Sequence, residues 1–268
     1  MFEILSYGFI QRAFLAGGFI AVSCALLGVF LILRRDAMIG HGLAHVIFAG
    51  VALGLLLEIM PLLSALAVGI LTALAVLKIK QTAGLYGDTA IAIFSSTGFA
   101  LGVLLVTLSR RFNVDLFSYL FGEVLAIENS EVWISLAITL TVIGGLLWNY
   151  PRLMYITFDP ESAKVSGIRV ERLEMMLTVM TAVTIVLGIK IVGILLIPAL
   201  LVIPAAGGLQ LASHFKGVLI ASAVIGFISA AAGLLLSILL DWPPSATIVL
   251  LAFLIFLILF AFKKKSNR

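Results

Sequence analysis

Residues 14–33 read FLAGGFIAVSCALLGVFLIL, twenty consecutive positions without a charge, closed by Arg34 and Arg35. A helix needs about 20 residues to cross a hydrocarbon core of ~30 Å, so this stretch is sized for one membrane crossing. Runs of the same kind recur on either side. Taking the first as 12–33, the others are 38–58, 61–80, 88–108, 131–150, 171–188, 190–211, 215–239 and 245–262. Loops are short apart from 109–130 and 151–170.

The composition agrees. Apolar residues make up 63% of 268 positions and charged residues 11%. A soluble domain carries roughly 45–50% apolar and about 25% charged residues, and its exterior must be largely wetted. The expected fold is therefore all-α, a polytopic transmembrane helical bundle of about 8–9 spans. With so little chain in loops, 1–268 is expected to form one membrane domain. The run from Phe14 to Leu33 is too long for a signal-peptide core and lacks a basic leader.

The net charge of +4 does not point to nucleic acid, because the cations sit at the ends of apolar runs. Arg34/Arg35, Lys78/Lys80, Arg152/Lys164/Arg169/Arg172, Lys216 and Lys263–Lys265 would all be cytoplasmic. With nine crossings the N-terminus lies outside; with eight it lies inside. The segment to re-enter or merge is 190–211, which Gly193, Pro198, Pro204, Gly207 and Gly208 interrupt. Proline removes a backbone hydrogen bond and clashes with the preceding turn. Backbone left unpaired cannot face lipid. Pro198 and Pro204 thus mark either a translocation path or a kink used for packing.

Ionisable groups inside a membrane are costly. His41 and His45, four residues apart, share a helix face. His45 lies ten residues past Arg35, ~15 Å along a helix, near the middle of the ~30 Å core. Neutral imidazole suits zinc, copper, iron and nickel, so the pair is either a metal site or two histidines satisfied between helices. Zinc takes four ligands, or three and water, so the rest must come from another helix, a second copy of the chain, or water. Cys24 is the only cysteine and lies within an apolar run, which excludes a cysteine metal site. Asp88 is a helix-cap candidate. Ser95 and Ser96 can line a path or serve packing. His214, in a short polar loop, is expected to be exposed.

Residues 157–168 read as a short helix between apolar segments. Asp159 can cap it, Pro160 fits its first position, Glu161 suits the positive end of its dipole, and Gly167 its stop. On the cytoplasmic side such a helix can seat in a groove of a soluble partner.

Five stretches together resemble the permease subunits of zinc/manganese/iron ABC importers: LILRRDAMIGHGLAHVIFAGVALG (31–54), GDTAIAIFSSTGFALGVLL (87–105), FDPESAKVSGI (158–168), GILLIPALLVIPAA (193–206) and PPSATIVLLAFLIFLI (243–258). The resemblance implies a type II ABC-importer-like permease in the cell membrane of a prokaryote. It implies two ATPase subunits inside, a metal-binding solute-binding protein outside, and a homodimer of permeases. It also implies that 159–168 is a coupling helix, with Asp159, Pro160, Glu161, Ala163 and Gly167 meeting the ATPase. In such relatives an Asp and a His four residues apart meet the metal. His45 matches that His, while His41 stands where the family usually has Asp. Imidazole in place of carboxylate favours zinc over manganese, because manganese prefers oxygen ligands. Zinc is thus ranked first, manganese or iron next, as transported ion and not as a permanently bound cofactor.

A Walker A pattern is absent, so ATP hydrolysis is expected on another chain and this chain is not expected to be an enzyme. An ion-gradient-driven secondary metal transporter is the alternative, since those also use broken helices, usually with inverted repeats. The zinc-protease pattern H-E-x-x-H is absent because position 42 is Gly.

Overall fold

The computed structural model describes residues 7–82, 87–109, 122, 127–194 and 196–266, without the side chains of 87, 88, 109 and 264–266. The expected Asp88 cap and most of the 109–130 loop lie outside the described residues. The described residues form helices α1 (Gly8–Leu33), α2 (Met38–Leu56), α3 (Pro61–Thr82), α4 (Gly87–Ser109), α5 (Asn129–Trp148), α6 (Tyr150–Phe158), α7 (Pro160–Val165), α8 (Val170–Val192), α9 (Leu196–Leu211), α10 (Phe215–Leu240) and α11 (Pro244–Ser266). No strand occurs among them.

Eight of these helices are long and apolar enough to cross a membrane: α1, α2, α3, α4, α5, α8, α10 and α11. The expected ninth run, 190–211, divides differently. Its first residues complete α8, and the break falls at 193–194 rather than near 189. Gly193 has φ +87, a left-handed conformation that suits glycine. Its N–H still bonds the Ile189 carbonyl at 2.8 Å, so α8 ends as a regular helix. The remaining α9 has 16 residues. At 1.5 Å per residue it is ~24 Å long, short of a full crossing.

The described residues group into two compact units. The first comprises Met1–Ile32, Ser118–Ile143 and Gly188–Arg268. Lipid tails are as apolar as leucine, so helices here associate through close packing and hydrogen bonds. Thr139 Oγ1 lies 2.8 Å from the Ser135 carbonyl, 2.9 Å from the Phe19 carbonyl and 2.9 Å from Ser23 Oγ, tying α5 to α1. Arg12 Nε donates to the Ile127 carbonyl at 2.7 Å, and Lys190 pairs with Glu131 at 2.5 Å. Ile20, Leu27, Phe30, Leu196, Ile197 and Leu200 are fully buried. Helices α9, α10 and α11 pack against one another.

The second unit comprises Leu33–Phe117 and Gly144–Leu187. Here α2 packs against both α3 and α4. Toward α3, Ser64 Oγ donates to the Gly50 carbonyl at 2.7 Å. Toward α4, a Cβ on Gly98 would lie 2.8 Å from the Val46 Cα, so the two backbones nearly touch. Small residues at such crossings permit this approach, and they fix the side of α2 that carries the histidines. Cys24 in the first unit is buried and unbridged, as its apolar setting predicts.

Candidate functional site

Arg35 adopts a left-handed φ of +59 in the turn between α1 and α2. Such a conformation is unfavourable for a non-glycine residue and persists where surrounding contacts hold it. The turn launches α2, and one turn into that helix stands His41. Nε2 of His41 lies 3.2 Å from Nε2 of His45, with ring centroids 4.7 Å apart and ring planes at 87°. His41 is exposed and His45 half-buried. Phe99 of α4 flanks the pair, its ring centroid 5.2 Å from that of His45, and it stacks on Phe48 at 6.0 Å.

Among the described residues neither ring bonds a backbone carbonyl; each Nε2 has the other as its hydrogen-bonding partner. Two nitrogens held ~2.0–2.1 Å from a tetrahedral zinc lie about 3.3 Å apart. The observed spacing fits two corners of that tetrahedron. Among the described residues no group of three His, Cys, Asp or Glu side chains is gathered. Two imidazoles are therefore what the described part of this chain offers a cation at this place.

Ser95 sits on the α4 face that also carries Ile91, Gly98 and Gly102, the face packed on α2. It is half-buried, while Ser96 is exposed. Neither hydroxyl bonds a described residue, in contrast to Thr107 on the same helix, which donates to the Val103 carbonyl at 2.8 Å. Pro198 and Pro204 belong to the first unit. Pro198 occupies the first turn of α9, where a missing N–H is harmless; Pro204 is buried inside the helix.

The 157–168 segment folds as its sequence predicts. Asp159 Oδ1 accepts from the Ser162 N–H at 2.9 Å, Pro160 opens α7, and Ala163 is fully buried. Hydrogen bonding from the Ser162 side chain, then from its N–H, holds the Asp159 carboxyl below the usual carboxylate range. At the other end the Ile168 N–H bonds the Ala163 carbonyl at 3.0 Å and the Gly167 N–H bonds that of Lys164 at 3.1 Å. With Gly167 at φ +80 this is a Schellman stop. Glu161 lies in the first turn of α7. Phe158 and Val165 project outward, 64% and 91% exposed, so this short rigid element carries uncovered apolar surface. His214, before α10, is exposed, and its Nδ1 lies 2.9 Å from Ser213 Oγ.

One cluster was not anticipated. Arg34 pairs with Glu174 of α8, and its Nε lies 3.8 Å from Asp36. Asp36 receives Lys80 Nζ at 2.6 and 2.8 Å, and Gln81 donates to Glu174 at 3.2 Å. The side chains of Arg34, Asp36 and Glu174 are 11%, 9% and 14% exposed, so these three are largely out of water, while Lys80 is half-buried and Gln81 exposed. The available signal was Asp36, an acid set directly after two arginines.

Residues 6–263 match the ABC 3 transport family. This chain belongs to that family. The manganese transport system membrane protein MntC of Halalkalibacterium halodurans is 34% identical, over 99% of this chain and 91% of the relative. The high-affinity zinc uptake system membrane protein ZnuB of Haemophilus influenzae is also 34% identical, over 97% and 98%. Among solved structures, PsaBC from Streptococcus pneumoniae in complex with Fab superposes with a TM-score of 0.86 at 29% identity, covering 97% of this chain and 94% of that one. The expected membership among zinc/manganese/iron ABC importer permeases is thus shown, as is the all-α transmembrane fold.

Proposed function

We propose that this chain is the membrane-spanning subunit of an ATP-driven importer whose cargo is zinc, with His41 and His45 as the chain's ligands to the passing ion. The observation that carries the reading is the 3.2 Å separation of the two Nε2 atoms on one face of α2. Relatives named for manganese and for zinc are equally similar, so identity does not choose the metal. What supports zinc is the donor set. Two neutral nitrogens suit zinc, whereas manganese favours carboxylate and carbonyl oxygens.

The whole of 1–268 works as one permease in a prokaryotic cell membrane, paired with a second copy. A metal-binding protein docks outside and releases zinc toward the histidines, with Ser95 and Ser96 along the path; Pro198 and Pro204 mark the broken segment of the first unit. The ion must be held weakly enough to leave. On the inner side 159–168 seats in an ATPase subunit, which supplies hydrolysis. Asp159 and Gly167 fix the shape of this coupling helix, Pro160, Glu161 and Ala163 form its body, and the exposed Phe158 and Val165 offer apolar contact. Protonated imidazole cannot bind metal, so uptake weakens in acid.

The test is uptake into proteoliposomes carrying the permease, its ATPase and the binding protein. ATP-dependent zinc influx that excess manganese competes poorly is expected. Manganese influx that outruns zinc would overturn the choice of metal, and influx without nucleotide would overturn the ATP-driven mechanism.

A further inference from the structure

The ring Arg34–Asp36–Lys80/Gln81–Glu174 has a place in the second unit that a simple surface ion pair would not have. Glu174 stands in the second turn of α8, and only residues 166–169 separate α8 from α7. Asp36 stands two residues before α2, and five before His41. The ring therefore joins the helix after the coupling segment to the turn that launches the histidine helix. Lys80 and Gln81, at the end of α3, close it.

We propose that Arg34 and Glu174 are positioning residues of the transport cycle, passing displacement of 159–168 to α2 and so to His41 and His45. This rests on the reading of 159–168 as the coupling helix. Charge-assisted hydrogen bonds of this kind are short and directional. Where they are largely shielded from water, as between Arg34 and Glu174, they resist separation, so α8 and the 34–37 turn shift together. The turn itself carries a left-handed residue, Arg35 at φ +59, beside the Arg34 and Asp36 that make the ring's bonds. Nη1 of Arg34 is buried and has no partner among the described residues. The guanidinium therefore keeps one donor open, so a shifted Glu174 can change its mode of pairing without leaving a charge stranded. Coupling between sites requires an element with two such arrangements.

The test uses the complete complex in proteoliposomes and reads zinc imported per ATP hydrolysed. A folding defect lowers both rates together and leaves this ratio unmoved. Glu174→Gln should lower the ratio about fivefold or more, the scale of coupling between linked sites. Arg34→Gln should do the same, and the double variant should be no worse than either, because partners in one interaction are non-additive. Glu174→Asp, which keeps the charge, should restore most of the ratio. Gly167→Val serves as the parallel arm, because it distorts the coupling segment itself. If Gly167→Val uncouples while Glu174→Gln keeps the wild-type ratio, the transmission role is overturned and the coupling helix stands. If neither variant moves the ratio, the coupling helix falls, and the transmission role with it. Should Glu174→Gln not assemble with the ATPase, Gln81→Leu removes one bond from the ring; a smaller fall in the ratio is expected, and no fall overturns the proposal.

Discussion

The imidazole Nε2 atoms of His41 and His45 stand 3.2 Å apart on one face of α2, beside the ring of Phe99. This spacing suits a single cation, and in the proposed site the nitrogen donors favour zinc. Replacing His41 with Asp puts an oxygen ligand in place of an imidazole and adds a negative charge. His41→Asp should shift preference from zinc toward manganese. Competition between the two metals for ATP-dependent uptake measures it. An unchanged preference would show that selectivity is set elsewhere.

Gly28 of α1 faces the α9 backbone so closely that a Cβ there would lie 1.7 Å from the Leu201 carbonyl oxygen. No side-chain rotation relieves a clash with backbone, so the helices must separate. Gly28→Ala should destabilise the fold by about 1–3 kcal/mol, as overpacking does. Gly17 lies on the same helix, and a Cβ there meets nothing within 4 Å. Gly17→Ala should be neutral or stabilising by up to about 1 kcal/mol. Thermal unfolding in detergent gives the order, and the reverse order would contradict the close α1–α9 packing.

Asp159 makes the start of α7 sensitive to acid. Its carboxyl is held below the usual range in the folded chain, first by hydrogen bonding from the Ser162 side chain. A depressed folded value means that the cap's stabilisation is fully present above the unfolded pKa, near about 3.9. It is lost as pH falls through the lower folded value. Protection of the Ser162 amide against hydrogen exchange should therefore drop at the acid end. In Asp159→Ala that protection should be low at every pH, and a wild-type profile in the variant would contradict the cap.

Most of the architecture was legible because its signals are local. Apolar runs such as 14–33 declare their own length, and Asp159, Pro160 and Gly167 each signal a cap, a first turn and a stop within a dozen residues. The break before α9 was placed a few residues early. Lys190 looked like the start of a new segment, whereas the left-handed backbone at Gly193 is where α8 ends. The charge ring was not legible at all. Its bonds join residues 140, 44 and 93 positions apart, and no sequence period records such pairings. Arg34 read alone is a topology marker; only the fold shows Glu174 beside it. The histidine spacing was legible from the four-residue interval, but the flanking Phe99 was not, because it comes from α4.

The most direct test of the metal path is zinc uptake by the reconstituted complex carrying His41→Ala or His45→Ala, with ATP hydrolysis followed in the same vesicles. Each variant should lose about tenfold or more of its uptake, the scale of losing a determinant of metal affinity, while still assembling with the ATPase. Wild-type uptake in both variants would contradict the assignment of these imidazoles to the passing ion.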